Sequence, residues 1–120
     1  MKGRVVVVKE YGKPFEIQEY DVPEPENGAV LLRMTQAGIC GSDLHTWRAD
    51  QSQEHLPIPV NGRVMGHEGT GVIEVLSDNV ATDTLGTPVQ QGDRVIYSAV
   101  FPCNRCHLCL KGDTNWCANR

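Results

Sequence analysis

Cys103-Asn104-Arg105-Cys106-His107-Leu108-Cys109-Leu110-Lys111-Gly112-Asp113-Thr114-Asn115-Trp116-Cys117 sets four cysteines in the spacing C-x2-C-x2-C-x7-C. Zinc takes four ligands tetrahedrally without a directional electronic preference, and closed sites of four thiolates are a common structural use of it. Two intervening residues let consecutive thiolates turn onto one ion, and the longer gap lets the chain loop back. Asn104, Arg105 and Gly112 sit where tight turns are required, and Asn and Gly accept such turns most readily. Packing of buried free thiols does not explain four cysteines in so polar a stretch. An iron–sulfur cluster also takes four cysteines, and the first three here match the opening of the bacterial ferredoxin run. That run continues C-x3-C-P, whereas here seven residues intervene and Ala118 follows. The spacing therefore favours a structural zinc on Cys103, Cys106, Cys109 and Cys117, with an iron–sulfur cluster as the alternative and His107 left to solvent.

Upstream of this loop, Gly and Pro punctuate the chain and the runs between them favour strands. Arg4–Lys9 is valine-rich. Phe15–Asp21 alternates Phe15 and Ile17 against Glu16 and Gln18, the pattern of a half-buried strand with the apolar residues inward. Val22–Gly28 is a turn marked by Asn27-Gly28, and a strand follows from Ala29 to Gln36. Ser42 or Asp43 is placed to cap a short helix reaching Trp47. Gln51–Gly62 reads as a loop, Gly69–Leu76 as a strand, Ser77–Gln91 as turns and Arg94–Val100 as a strand. One helical turn is expected at His107–Lys111. Many short strands with little helix predict a mostly β, barrel-like domain.

The 120 residues suit one domain, with 40% hydrophobic residues and a formal charge of −4. Scattered basic residues in an acidic chain argue against a nucleic-acid partner. The longest opening apolar run is Val5–Val8, too short to cross a membrane or to serve as a signal peptide. The expectation is a cytoplasmic protein, in which cysteines serve metals more readily than disulfides.

The fifth cysteine lies in Ala37-Gly38-Ile39-Cys40-Gly41-Ser42-Asp43-Leu44-His45, and Val64-Met65-Gly66-His67-Glu68-Gly69-Thr70-Gly71-Val72 follows. Each segment alone is compatible with a packed thiol and a turn histidine. With Gly92-Asp93-Arg94-Val95 and the cysteine loop, in this order, the chain resembles the N-terminal catalytic domain of zinc-dependent medium-chain dehydrogenases, the alcohol, sorbitol and threonine dehydrogenase family. The resemblance runs from about residue 4 to the end.

It implies a GroES-like, partly open β-barrel over residues 1–120, with the zinc-stapled loop at 101–120. It implies a second zinc as well, with Cys40 and His67 as its first two ligands, acting as a Lewis acid on an alcohol or carbonyl substrate. Ser42 falls where the family places the hydroxyl that takes the alcohol proton. His45 falls at the outer end of that relay, and an imidazole is suited to proton exchange near neutral pH. Asp43 falls where a carboxylate orients His67, and Glu68 where it approaches the metal during ligand exchange. Bland roles compete at these positions: a helix cap for Ser42 and Asp43, a plain surface residue for His45, and a core or capping indole for Trp47 as against a lining of the substrate cleft.

Such a site needs a third protein ligand, which the family supplies beyond its cysteine loop, and no G-x-G-x-x-G unit of a Rossmann fold stands in these residues. The expectation is therefore a fragment, truncated before the Rossmann domain that binds NAD or NADP, inactive alone and part of a homo-oligomeric parent. A stand-alone zinc-binding interaction module without catalytic activity is the alternative, and a co-chaperonin sharing the fold is a weaker third.

Overall fold

The computed structural model describes residues 1–50 and 57–119. The part of the predicted loop at 51–56 lies outside them.

Two open, antiparallel, three-stranded sheets form the molecule. In the first, β1 (Lys2–Val8) is central between β2 (Glu16–Asp21) and β4 (Arg63–Val64). The valine run makes β1 a strong strand, since β-branched side chains suit a pleated surface. Val7 and Val8 are almost fully buried where β4 crosses them. In the second sheet, β5 (Gly69–Leu76) is central between β3 (Val30–Ala37) and β6 (Arg94–Ile96). Gly69, Gly71 and Ile73 alternate inward along β5. The register of β3 on β5 shifts at Leu31/Leu32 and again between Met34 and Gln36, bulges that bend the sheet. Ser77 closes the far end of this pair: its hydroxyl donates to Ala29 O (2.7 Å) and accepts from Ala29 N (3.0 Å).

The open edges agree with the expected partly open arrangement, and among the described residues no sheet closes on itself. Among the described residues, buried apolar side chains are few: Val7, Val8, Ile73 and Cys117. The radius of gyration of 16.3 Å exceeds the roughly 14 Å of a compact domain of this length. A thin core and open sheets are one observation seen twice.

Three expectations change. In β2 the predicted burial is reversed: Ile17 and Phe15 are exposed and Gln18 is half-buried. β2 is an edge strand, and nothing among the described residues covers the face on which Ile17 stands opposite Val6. The strand predicted to reach Val100 ends at Ile96, because the chain turns and stacks Tyr97 on Phe101 (centroids 6.3 Å apart). Third, the N-cap of helix α1 (Gly41–Arg48) is Cys40, not Ser42 or Asp43, and Asp43 takes part from the third helical position. The strand predicted at Gly69–Leu76 matches β5 to the residue.

Candidate metal centres

Helix α1 is tied at its end to the β1–β2 turn and at its start to the segment before β5. At its start Asp43, in the first turn, reaches back to accept from Cys40 N (3.0 Å) through Oδ2, the reverse arm of a capping box. At its end Trp47 accepts from Gly12 N (2.8 Å) and donates from Nε1 to Lys13 O (2.7 Å), while Phe15 packs on the indole. Trp47 thus clamps the β1–β2 turn onto the helix. The indole has a structural attachment, and the helix that carries Cys40 is held at a fixed angle.

The strand partner of this region supplies the rest. Gly38 N donates to Glu68 O (2.8 Å), joining the segment before Cys40 to the segment that holds His67. A Cβ on Gly38 would meet the Glu68 carboxylate, which would have to swing aside. Gly66 adopts φ 93°, a left-handed conformation, and turns His67 inward. The outcome is a cluster of Cys40, Asp43 and His67 whose ligand-type atoms lie within 4.8 Å of one another. Cys40 Sγ stands 3.2 Å from His67 Nε2 and 3.0 Å from Ser42 Oγ. On the other side of the ring, His67 Nδ1 faces Asp43 Oδ1 at 3.5 Å, and the same oxygen accepts from Gly66 N at 3.2 Å. Asp43 is therefore spent on orienting its neighbours, whereas Cys40 Sγ and His67 Nε2 face each other.

His45 lies one turn beyond Ser42 on α1, on the same face. Its Nδ1 pairs with Asp50 Oδ1 at 2.8 Å. Sequence reading missed Asp50, whose only signal was its place just past the helix end. Glu68 is exposed and its carboxylate packs against Gly38, short of the Cys40–His67 pair among the described contacts.

The second cluster is built from a loop that folds on its own turns. Asn104 and Gly112 take left-handed φ values of 55° and 90°, as the spacing anticipated. Helix α2 (His107–Leu110) starts from Cys106, and a 3₁₀ turn at Thr114–Trp116 returns the chain to Cys117. The sulfurs of Cys103, Cys106, Cys109 and Cys117 come within 4.8 Å of one another, and Cys117 is 3% exposed. His107 begins α2, exposed to solvent. Donors ring the sulfurs: Cys103 N and Asn119 N each donate to Cys117 Sγ (3.3 Å), and Asn119 Nδ2 donates to Cys103 Sγ (3.3 Å).

These donors split the thiols. The Asn119 amide and the backbone N–H of Arg105 bring Cys103 down to about 5. The backbone N–H of Cys109 lowers Cys106. Burial among its neighbours, with their sulfurs close by, pushes Cys109 up to about 12. Ionising all four sulfurs so close together would require a cation among them. Sulfurs held about 2.3 Å from a tetrahedral zinc stand about 3.8 Å apart, a spacing this cluster already allows. The donor set fits a soft, four-coordinate metal.

Comparison with known proteins gives a consistent set of relatives. The sequence profile described as "Alcohol dehydrogenase GroES-like domain" matches residues 26–120. An S-(hydroxymethyl)glutathione dehydrogenase of Synechocystis sp. is 38% identical over 117 residues, covering 98% of this chain and 29% of that protein. The crystal structure of an alcohol dehydrogenase from Thermotoga maritima superposes with a TM-score of 0.80 at 25% identity, over 100% of this chain and 32% of the other. An NAD-dependent alcohol dehydrogenase structure gives 0.76 at 29% identity, over 97% and 32%. The chain thus spans under a third of the length of these relatives.

Proposed function

Since the chain belongs to the alcohol dehydrogenase GroES-like domain family, we propose that it forms the N-terminal part of the catalytic domain of a zinc-dependent oxidoreductase acting on an alcohol and the matching carbonyl compound, with NAD or NADP as the hydride partner. The observation that carries the reading is the facing pair Cys40 Sγ–His67 Nε2, with Ser42 Oγ beside the sulfur. A zinc ion held there by Cys40 and His67 would supply Lewis acidity toward the substrate oxygen.

The residues of this chain do the remaining work. Asp43 orients the His67 ring through Nδ1 and keeps Nε2 turned to the metal position. Ser42 Oγ accepts the alcohol proton, and His45, on the same face of α1, passes it toward solvent. Glu68, its carboxylate beside Gly38, would be the group able to approach a metal held by Cys40 and His67. Cys103, Cys106, Cys109 and Cys117 would hold a second, structural zinc, which would stiffen the segment after β6. A cytoplasmic setting suits five cysteines none of which is in a disulfide. The third ligand of the catalytic metal, the nicotinamide site and the contacts between subunits are assigned to sequence beyond the family segment seen here, as the 29% coverage of the relative suggests.

The test is alcohol-dependent formation of NADH or NADPH by the natural gene product, with a panel of short alcohols and polyols. His67→Ala should lower kcat/KM by roughly a thousandfold, in keeping with the several kcal/mol that a catalytic metal supplies, while the zinc on the four cysteines is retained. Turnover unchanged in that variant would overturn the assignment. No turnover in the natural product with any alcohol would leave a zinc-stapled interaction module in its place.

A further inference from the structure

We propose that Asp50 is a positioning residue for proton transfer: it fixes His45 in the Nδ1–H tautomer and so leaves Nε2 as the nitrogen that accepts the proton. The inference deepens the proposed function, since it rests on His45 serving as the outer member of the relay.

The geometry is local and specific. Helix α1 ends at Arg48, and Ala49 takes a left-handed conformation (φ 54°) that few non-glycine residues adopt. This single residue reverses the chain. Ala49 N then donates to Thr46 O (3.1 Å) and Asp50 N to His45 O (3.2 Å). The second of these bonds brings residue 50 back over residue 45, and the side chains meet at 2.8 Å between Nδ1 and Oδ1. Backbone and side chain thus join the same two residues. Neither is deeply buried, at 43% and 38% side-chain exposure, which is the setting a relay terminus needs to exchange with water.

The chemistry follows from the partner. An ionised carboxylate only accepts hydrogen bonds, so the ring nitrogen facing it must carry the hydrogen. A neutral imidazole has one N–H, and with that hydrogen at Nδ1 the lone pair is at Nε2. When Nε2 takes a proton, the resulting cation is already paired with Asp50, so no side chain has to move to stabilise it. His67 is arranged likewise, Nδ1 toward Asp43 and Nε2 toward the site. The His45–Asp50 contact, at 2.8 Å, is the shorter of the two imidazole–carboxylate contacts; His67 and Asp43 stand 3.5 Å apart.

The experiment is nitrogen-15 NMR of the imidazole rings in the zinc-loaded chain, at a pH where the histidines are neutral, for wild type, Asp50→Ala and Asp50→Glu. His45 should show the Nδ1–H signature in the wild type. Asp50→Ala should shift the tautomer ratio about tenfold toward Nε2–H, the factor an ordinary charge-assisted hydrogen bond carries. Asp50→Glu should restore part of it. A His45 ring with Nε2–H in the wild type, or a ratio unmoved in Asp50→Ala, overturns the proposal. The same spectra show whether His67 Nε2 shifts on zinc addition, which tests the proposed function separately. Amide chemical shifts of α1, retained in the variants, separate the tautomer change from a loss of fold.

Discussion

At the level of single residues, the thiol split in the cysteine loop sets a pH dependence for the metal-free chain. Cys103 is lowered from 9.0 to about 5, so its ionised form is favoured by the fold. That contribution is complete above about 9 and disappears as pH falls toward 5. Cys109 is raised to about 12, so its neutral form is favoured, and its contribution is complete below 9 and lost as pH rises toward 12. Metal-free loop stability should therefore be greatest near pH 9. Hydrogen exchange at the Leu110 and Gly112 amides reads this; protection rising steadily from pH 9 to 12 would contradict it. A second prediction concerns Asp43, which binds both Cys40 N and Gly66 N. Asp43→Ala should weaken zinc at Cys40 and His67 by about 10- to 100-fold, the usual effect of removing such a partner, and leave the four-cysteine zinc unchanged. Competition with a chromophoric chelator measures both.

At the level of elements, β5 is the strand on which the second sheet depends, and Ile73 is its buried side chain, 2% exposed. Ile73→Ala should cost about 2–5 kcal/mol, measured by urea denaturation of the zinc-loaded chain. In a core of so few buried residues that loss should abolish a cooperative transition; a shift below 1 kcal/mol would show that the sheet draws its stability elsewhere. β5 was legible from sequence because Gly69–Leu76 is rich in Thr, Val and Ile, with its glycines on one face. β4, only Arg63–Val64, carries no pattern of its own and exists because β1 offers it Val7 and Val8. β2 was misread in burial because periodicity shows which residues share a face, not whether another layer covers that face. Cys40 and His67 were legible only by resemblance, through segments 27 positions apart, and Asp50 not at all. Its pairing depends on the left-handed turn at Ala49, a residue type that does not announce such a turn.

At the level of the whole molecule, two side-chain clusters of different kinds, each a candidate metal centre, are built on one thin fold. The four-cysteine cluster is local, closed within a 15-residue loop, and offers four sulfurs to a single ion. The Cys40–His67 site joins α1 to the segment before β5 and offers the metal two side-chain ligands from this chain. The first should bind zinc tightly and stabilise the fold; the second should bind weakly and exchange. Cys106→Ser should remove the tight zinc, and His67→Ala only the weak one. The most direct measurement is X-ray absorption at the zinc edge during a stepwise zinc titration. The first equivalent should show four sulfurs at about 2.3 Å, and the second a mixed sulfur and nitrogen shell that disappears in His67→Ala. A first equivalent with nitrogen or oxygen ligands, or a second shell that His67→Ala leaves intact, would contradict the account.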